Sequence, residues 1–97
     1  MRRAKVDSNH AAIVLALQQI GCSVESLAAV GKGCPDLLCG YQGRNVLLEV
    51  KTVAGVKRKG TTADLQRSWR DAWRGGLVWV VTSADEAINA ILGDACV

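Results

Sequence analysis

Two short apolar runs do most to limit what this chain can fold into. PDLLCGY occupies residues 35–41 and NVLLEVKT residues 45–52, and they flank the turn-forming stretch Gln42-Gly43-Arg44-Asn45. Two β-prone runs joined through Gly and Asn read as a β-hairpin. A turn centred between Gly43 and Arg44 sets Asp36 opposite Lys51 and Leu38 opposite Glu49. Side chains alternate along a strand and cross-strand partners share a face. Asp36, Glu49 and Lys51 therefore project from one face, and Leu37, Cys39, Leu48 and Val50 from the other, against a helix. In this register Asp36 and Glu49 are diagonal neighbours, about 7–8 Å apart at Cα. A slip of one residue would send every side chain to the wrong face.

The remaining elements follow from periodicity. Residues 8–20 read as a helix with Ile13, Leu17 and Ile20 on one stripe and Val14 and Leu15 beside it. The stretch is apolar nearly all round, which predicts a well-buried helix. Asp7 or Ser8 can cap its start and Gly21 ends it. CSVESLAAV predicts a short strand, and VAGVKRKGTT, rich in glycine and base, a loop. Thr61 or Thr62 caps a second helix carrying Leu65, Trp69, Ala72 and Trp73 on one face, stopped by Gly75-Gly76. LVWVVTS predicts a buried strand. Ser83 and Glu86 form a capping box for a last helix with Ile88, Ile91 and Leu92 inward. The order α-β-β-β-α-β-α, with a βαβ crossover near the end, predicts an α/β fold with a mixed four-stranded sheet flanked by helices.

At 97 residues the chain makes one domain, 1–97. A hydrophobic share of 49% with 22% charged residues excludes a disordered chain. No apolar run approaches the roughly 20 residues of a membrane span, and Asp7, Ser8, Asn9 and His10 interrupt any signal-peptide core. A location inside the cell, in the cytoplasm, and no membrane partner are expected. With no Phe, one Tyr and three Trp, the core is aliphatic. So small a domain buries a limited share of its surface, and dimerisation is a natural source of further burial.

Four cysteines and one histidine offer no zinc spacing. Cys22, Cys34, Cys39 and Cys96 are expected to be free thiols, mostly buried. No P-loop, Gly-x-Ser-x-Gly or Cys/His pair points to nucleotide hydrolysis or acyl transfer, so no nucleotide cofactor is expected.

Asp36, Glu49 and Lys51 carry the chemistry. Two carboxylates at that separation can share a divalent ion, and Mg²⁺ takes hard oxygen ligands, commonly one or two carboxylates with waters and substrate phosphate. The Val50 carbonyl can add a ligand. The Lys51 ammonium, on the same side, can orient an attacking water or offset transition-state charge. A plain cross-strand ion pair between Asp36 and Lys51 is the competing account. Against it stand the strands themselves, built of Leu, Val and Cys, where unpaired charge is costly. Gly-Lys-Gly-Cys-Pro just before Asp36 also permits close backbone approach.

The stretch GKGCPDLLCGYQGRNVLLEVKT, with Pro35-Asp36 and Glu49-Val50-Lys51, resembles the signature of the PD-(D/E)XK nucleases. It is similar in particular to the virus-type replication-repair nuclease (VRR-NUC) branch, as single-domain phage proteins carry it. The resemblance spans residues 7 to about 87. It implies a restriction-endonuclease-like fold and a Mg²⁺- or Mn²⁺-dependent DNA endonuclease, in a phage-infected or prophage-carrying bacterium. The small stand-alone members look like dimeric Holliday-junction resolvases, so branched DNA and a homodimer are the implied partners. It further implies Asp36, Glu49, the Val50 carbonyl and Asp7 at the metal, and Asp36, Glu49, Lys51 and Gln66 in catalysis. Asp7 stands where the family usually has Glu, one carbon longer, so a helix cap or a water-mediated contact competes with direct ligation. For Gln66 a solvated helix surface competes.

The net charge of +3 is a weak pointer to nucleic acid. Basic residues gather as Arg2, Arg3 and Lys5, as Lys57, Arg58 and Lys59, and as Arg67, Arg70 and Arg74. With Lys32 in the glycine-rich loop, they are the candidate phosphate contacts; ordinary solvated surface is the alternative for each group. Phosphate contacts give affinity without sequence reading, so recognition by shape is expected. Trp69, Trp73 and Trp79 read as core or dimer contacts, and His10 as a surface residue of the first helical turn. Two other functions fit the same fold: a non-catalytic DNA-binding module, and a nuclease acting on linear duplex.

Overall fold

The computed structural model describes residues 8–52 and 61–94. Its elements run α1 (Ser8–Gln19), β1 (Ser23–Ser26), β2 (Leu37–Tyr41), β3 (Arg44–Val50), α2 (Thr61–Ala72), β4 (Val78–Val81) and α3 (Ala84–Asp94). Among the described residues this is an α/β fold: a four-stranded sheet, order β1-β2-β3-β4, with three helices. β1, β2 and β3 are antiparallel and β4 joins β3 in parallel, so the sheet is mixed as expected. No helix among the described residues is long and apolar enough to cross a membrane.

The hairpin forms, but its register differs from the expected one. Leu37 pairs with Leu48, Cys39 with Val46 and Tyr41 with Arg44. The turn is therefore the two residues Gln42 and Gly43, at φ 48° and 80°. Positive φ at both central residues is the type I′ geometry, whose twist matches that of the flanking strands. The shift from expectation is two residues, and side chains alternate with a period of two. Each residue consequently stays on its expected face while changing its partner: Leu47, not Glu49, faces Leu38.

The inner face is the core. Leu37, Cys39, Val46, Leu48, Val50 and Val81 meet Ile13 and Leu17 of α1 and Ala87, Ala90 and Ile91 of α3. The two helices pack against each other on this side. Gly21 closes α1 as expected: Cys22 N donates to Leu17 O at 3.0 Å and Gly21 N to Gln18 O at 3.1 Å, a Schellman ending. Ser83 caps α3, accepting from Glu86 N at 3.1 Å, while the Glu86 carboxylate reaches back to Thr82 N at 2.6 Å. The box is thus closed one residue earlier than the expected reciprocal pair.

Two helix readings need correction. α1 is not buried all round: Leu15 is 57% exposed, because its position lies opposite the Ile13–Leu17 stripe. Leu92 is likewise outward, and Ala87 and Ala90 fill the inner stripe of α3 with Ile91. CSVESLAAV is a strand only over its first half, and Leu27–Val30 turn away, with Val30 N donating to Leu27 O at 3.0 Å. Cys22 and Cys39 are buried free thiols and Cys34 is half-buried, in line with expectation; Cys96 lies outside the described residues.

Candidate functional site

The outer face of the sheet carries the candidate chemistry. Continued one residue past the ladder, the register sets Asp36 directly opposite Glu49, not diagonal to it. The next position pairs Val50 with Pro35. The Val50 amide donates to Asp36 Oδ2 at 2.8 Å and not to the Pro35 carbonyl, and Pro35 has no N–H to offer the Val50 carbonyl. Proline before the aspartate thus frees backbone where the two acids meet.

Glu49 is 2% exposed, the one charged residue in the buried set among the described residues. Its carboxylate accepts from Gln66 Nε2, and Gln66 Oε1 in turn accepts from Lys51 Nζ. Lys51 Nζ lies 3.5 Å from Glu49 Oε2, closing a ring of three side chains. The competing account, an ion pair of Lys51 with Asp36, does not form among the described residues; Lys51 turns instead to Glu49, two residues before it in the chain. Gln66 arrives from α2, held there by Gly33. A Cβ on Gly33 would stand 2.3 Å from the Leu65 carbonyl oxygen, so only glycine lets the loop lie against α2 at that point. Gly33 also has φ 86°, a conformation glycine adopts without steric cost. The close approach expected of the Gly-Lys-Gly run is therefore to α2, one residue from Gln66.

Burial pushes the Glu49 carboxyl up to about 7, with the Asp36 charge adding and Lys51 and Arg70 opposing. Burial also raises the Cys34 thiol, with Glu49 and Asp36 contributing, which sets that thiol beside the acids. Two carboxylates in one half-dry place repel each other, and a hard divalent cation relieves both penalties. The donors present are Asp36, Glu49 and the Val50 carbonyl, all hard oxygens, which fits Mg²⁺ or Mn²⁺ completed by water and phosphate. Among the described residues no group of three or more His, Cys, Asp or Glu side chains gathers as a metal site. Asp7, the expected additional ligand, lies outside the described residues.

Asn9 was not singled out from the sequence, and it ties the site together. Its Nδ2 donates to Lys51 O at 2.9 Å and to Thr82 O at 3.1 Å, bridging the backbone just beyond the ends of β3 and β4. Its Oδ1 is buried without a hydrogen-bond partner among the described residues. The signal was there: Asn9 falls four and eight residues before Ile13 and Leu17, on the inward stripe of α1, where a polar side chain needs a buried partner.

Of the expected site residues, the fold brings Asp36, Glu49, Val50, Lys51 and Gln66 together, with Arg70 close enough to act on Glu49. Arg67 is spent differently, 3.6 Å from Asp64, and both are mostly exposed. Lys32 and Arg74 are exposed. Arg2, Arg3, Lys5, Lys57, Arg58 and Lys59 lie outside the described residues. Trp79 packs against the inner-face core, whereas Trp69 and Trp73 stack on each other, ring centroids 4.6 Å apart. No family model matches the chain, no curated protein matches it, and no solved structure matches it.

Proposed function

We propose that the chain is a Mg²⁺- or Mn²⁺-dependent endodeoxyribonuclease of the PD-(D/E)XK superfamily, VRR-NUC branch, that hydrolyses phosphodiester bonds in branched DNA. The reading rests on one observation above the others. Asp36, next to the last paired residue of β2, lies close enough to Glu49 for its charge to act on that carboxyl, and Lys51 and Gln66 close around Glu49. In this reading Asp36, Glu49 and the Val50 carbonyl hold the cation, with Asp7 as a further ligand. A bound Mg²⁺ or Mn²⁺ supplies Lewis acidity to the phosphoryl oxygen and makes water more acidic. Lys51 directs its ammonium at the charge that develops on the phosphoryl oxygens, and Gln66 fixes both Lys51 and the Glu49 carboxylate in position.

The resemblance of the hairpin to the PD-(D/E)XK signature supplies the reaction class and the restriction-endonuclease-like fold. Lys32 and Arg70, with the basic tail and loop, are the proposed phosphate contacts, read through charge and not through base edges. A four-way junction is two-fold symmetric and needs two cuts, so a two-fold homodimer presents two such sites across it.

The test is cleavage of a synthetic four-way junction and of matched linear duplex, with Mg²⁺, by the wild type and by Asp36→Asn. The asparagine keeps an acceptor for the Val50 amide and removes the charge. Symmetric nicking of the junction is expected, with a loss of at least about a hundred-fold in the variant. Equal rates in the two proteins would end the assignment, and preferential cutting of linear duplex would replace the substrate.

A further inference from the structure

Beside the acid pair lies a cavity of about 370 Å³, within the roughly 300–1,000 Å³ of small-molecule sites. Its walls include Leu38 and Leu47 from the sheet, Trp69 and Trp73 from α2, and Leu77 after it. Leu38 lies two residues beyond Asp36 and Leu47 two before Glu49, and Leu38 and Leu47 pair with each other. The cavity floor is therefore the next outward-facing position of the same hairpin, about 7 Å along the strands from the acids. Trp69 and Trp73 are stacked at an interplanar angle of 15°, and Trp73 stays 47% exposed. Leu77 is 58% exposed. Large apolar surface left open beside a charged site calls for an occupant.

The occupant must suit both neighbourhoods. The cavity itself is a flat aromatic and aliphatic slot; about 7 Å along the strands from its floor are the carboxylates fit for a cation, with the Arg70 guanidinium acting on Glu49. An aliphatic chain would satisfy only the slot and an inorganic phosphate only the charged end. A nucleotide carries an anion and a flat ring with a sugar between them. We propose that this cavity is a nucleobase subsite, taking one unstacked base of a DNA strand whose own phosphate lies at Asp36 and Glu49. The subsite rests on the nuclease reading for its polarity, since the acid site says where the phosphate goes. Aromatic side chains serve single-stranded nucleic acid in this way, because every base has a π-face. A base must be free of its helix to enter, so the subsite favours DNA that is already unpaired, as at a branch.

The experiment uses a short single-stranded oligonucleotide with 2-aminopurine at its centre, and the same strand with a tetrahydrofuran abasic residue there. Each is titrated into the whole protein with Ca²⁺ in place of Mg²⁺, reading 2-aminopurine and tryptophan emission and, for both strands, anisotropy. The base-containing strand is expected to bind roughly ten-fold more tightly than the abasic one, as stacking energies of single bases suggest. Trp73→Ala should remove most of that difference and leave abasic binding unchanged, and Trp73→Phe should restore it. Equal binding of the two strands, or equal weakening of both by Trp73→Ala, would overturn the subsite. So would tryptophan emission that follows protein concentration and ignores DNA, which would mark the cavity as a contact between two copies. Base-dependent binding without any junction cleavage would sink the nuclease reading and spare the base slot. Cleavage indifferent to Trp73, with equal binding of the two strands, would do the reverse.

Discussion

The two faces of the sheet are made from alternate residues of the same strands, yet they are built on opposite terms. The inner face closes on α1 and α3 with aliphatic side chains, and Leu37, Cys39 and Leu48 are at most 1% exposed. The outer face meets α2 through a Gln–Glu–Lys ring, a Gly33 contact and a cavity ringed by tryptophan and leucine. Neighbours along β3 show the contrast at one-residue resolution: Leu48 faces the packed side, while Leu47 lines the cavity and Glu49 lies buried in the site. The lesson is a division of labour. Close packing on one side supplies the stability that lets the other keep a buried charge and an open slot, both of which work against folding.

The largest expected effect tests that division directly. Leu48→Ala removes atoms from a fully packed place and should cost about 3–4 kcal/mol. Leu47→Ala enlarges a cavity that already exists and should cost about 1 kcal/mol. Urea titrations of the two variants measure the difference. Similar losses would mean that the outer face is as tightly packed as the inner one.

The next effect has the opposite sign. Glu49 titrates near 7 in the folded chain, above its ordinary 4.5, because it is buried beside Asp36. Between those values the folded chain keeps a proton that the unfolded chain has released. Stability from this group therefore falls as pH rises from about 4.5 to about 7, and stays low above. At about 1.4 kcal/mol per pK unit, the upper bound is about 3 kcal/mol. Glu49→Gln should accordingly be more stable than the wild type at pH 8 in EDTA, by up to that amount, and indistinguishable from it near pH 4.5. Mn²⁺ should raise the thermal midpoint of the wild type at pH 8 and leave the variant unmoved. A variant less stable at pH 8 would show that the bond to Lys51 outweighs the cost of burial.

This asymmetry explains which parts of the molecule were legible in the sequence. The outward placement of Asp36, Glu49 and Lys51 depends only on strand parity, which survives a two-residue error of register. The register itself depends on the turn, and Gln42 at a left-handed position is a weaker signal than Asn or Asp would be. Leu15 misled because hydropathy alone does not orient a helix that is apolar on most sides; its partner helix α3 does. Gln66 is brought to Glu49 across residues 53–60 by a contact between Gly33 and α2 that no local pattern records. Its place was suggested by resemblance alone. Asn9 was readable from its spacing to Ile13, but its partners are carbonyls just beyond the ends of two strands far from it in sequence, and those come together only in the fold.

The smallest stability effect separates holding α2 from holding the fold. Gly33→Ala adds a Cβ that meets the Leu65 backbone at 2.3 Å and sits at φ 86°, so either the loop or α2 must move. Gly43 is the matched control, at φ 80° with nothing within 4 Å of an added Cβ. Both alanines carry the cost of a left-handed residue, about 1–2 kcal/mol. Because α2 is not part of the packed inner face, it can shift without unfolding the sheet, and Gly33→Ala should cost little more than Gly43→Ala in urea. Their effects on the site should part widely. A displaced α2 withdraws Gln66 from Glu49 and Lys51, so junction cleavage should fall at least about ten-fold for Gly33→Ala and stay near wild type for Gly43→Ala. A Gly33→Ala protein that unfolds with the sheet would make α2 part of the core, and the contrast between the two faces would fail.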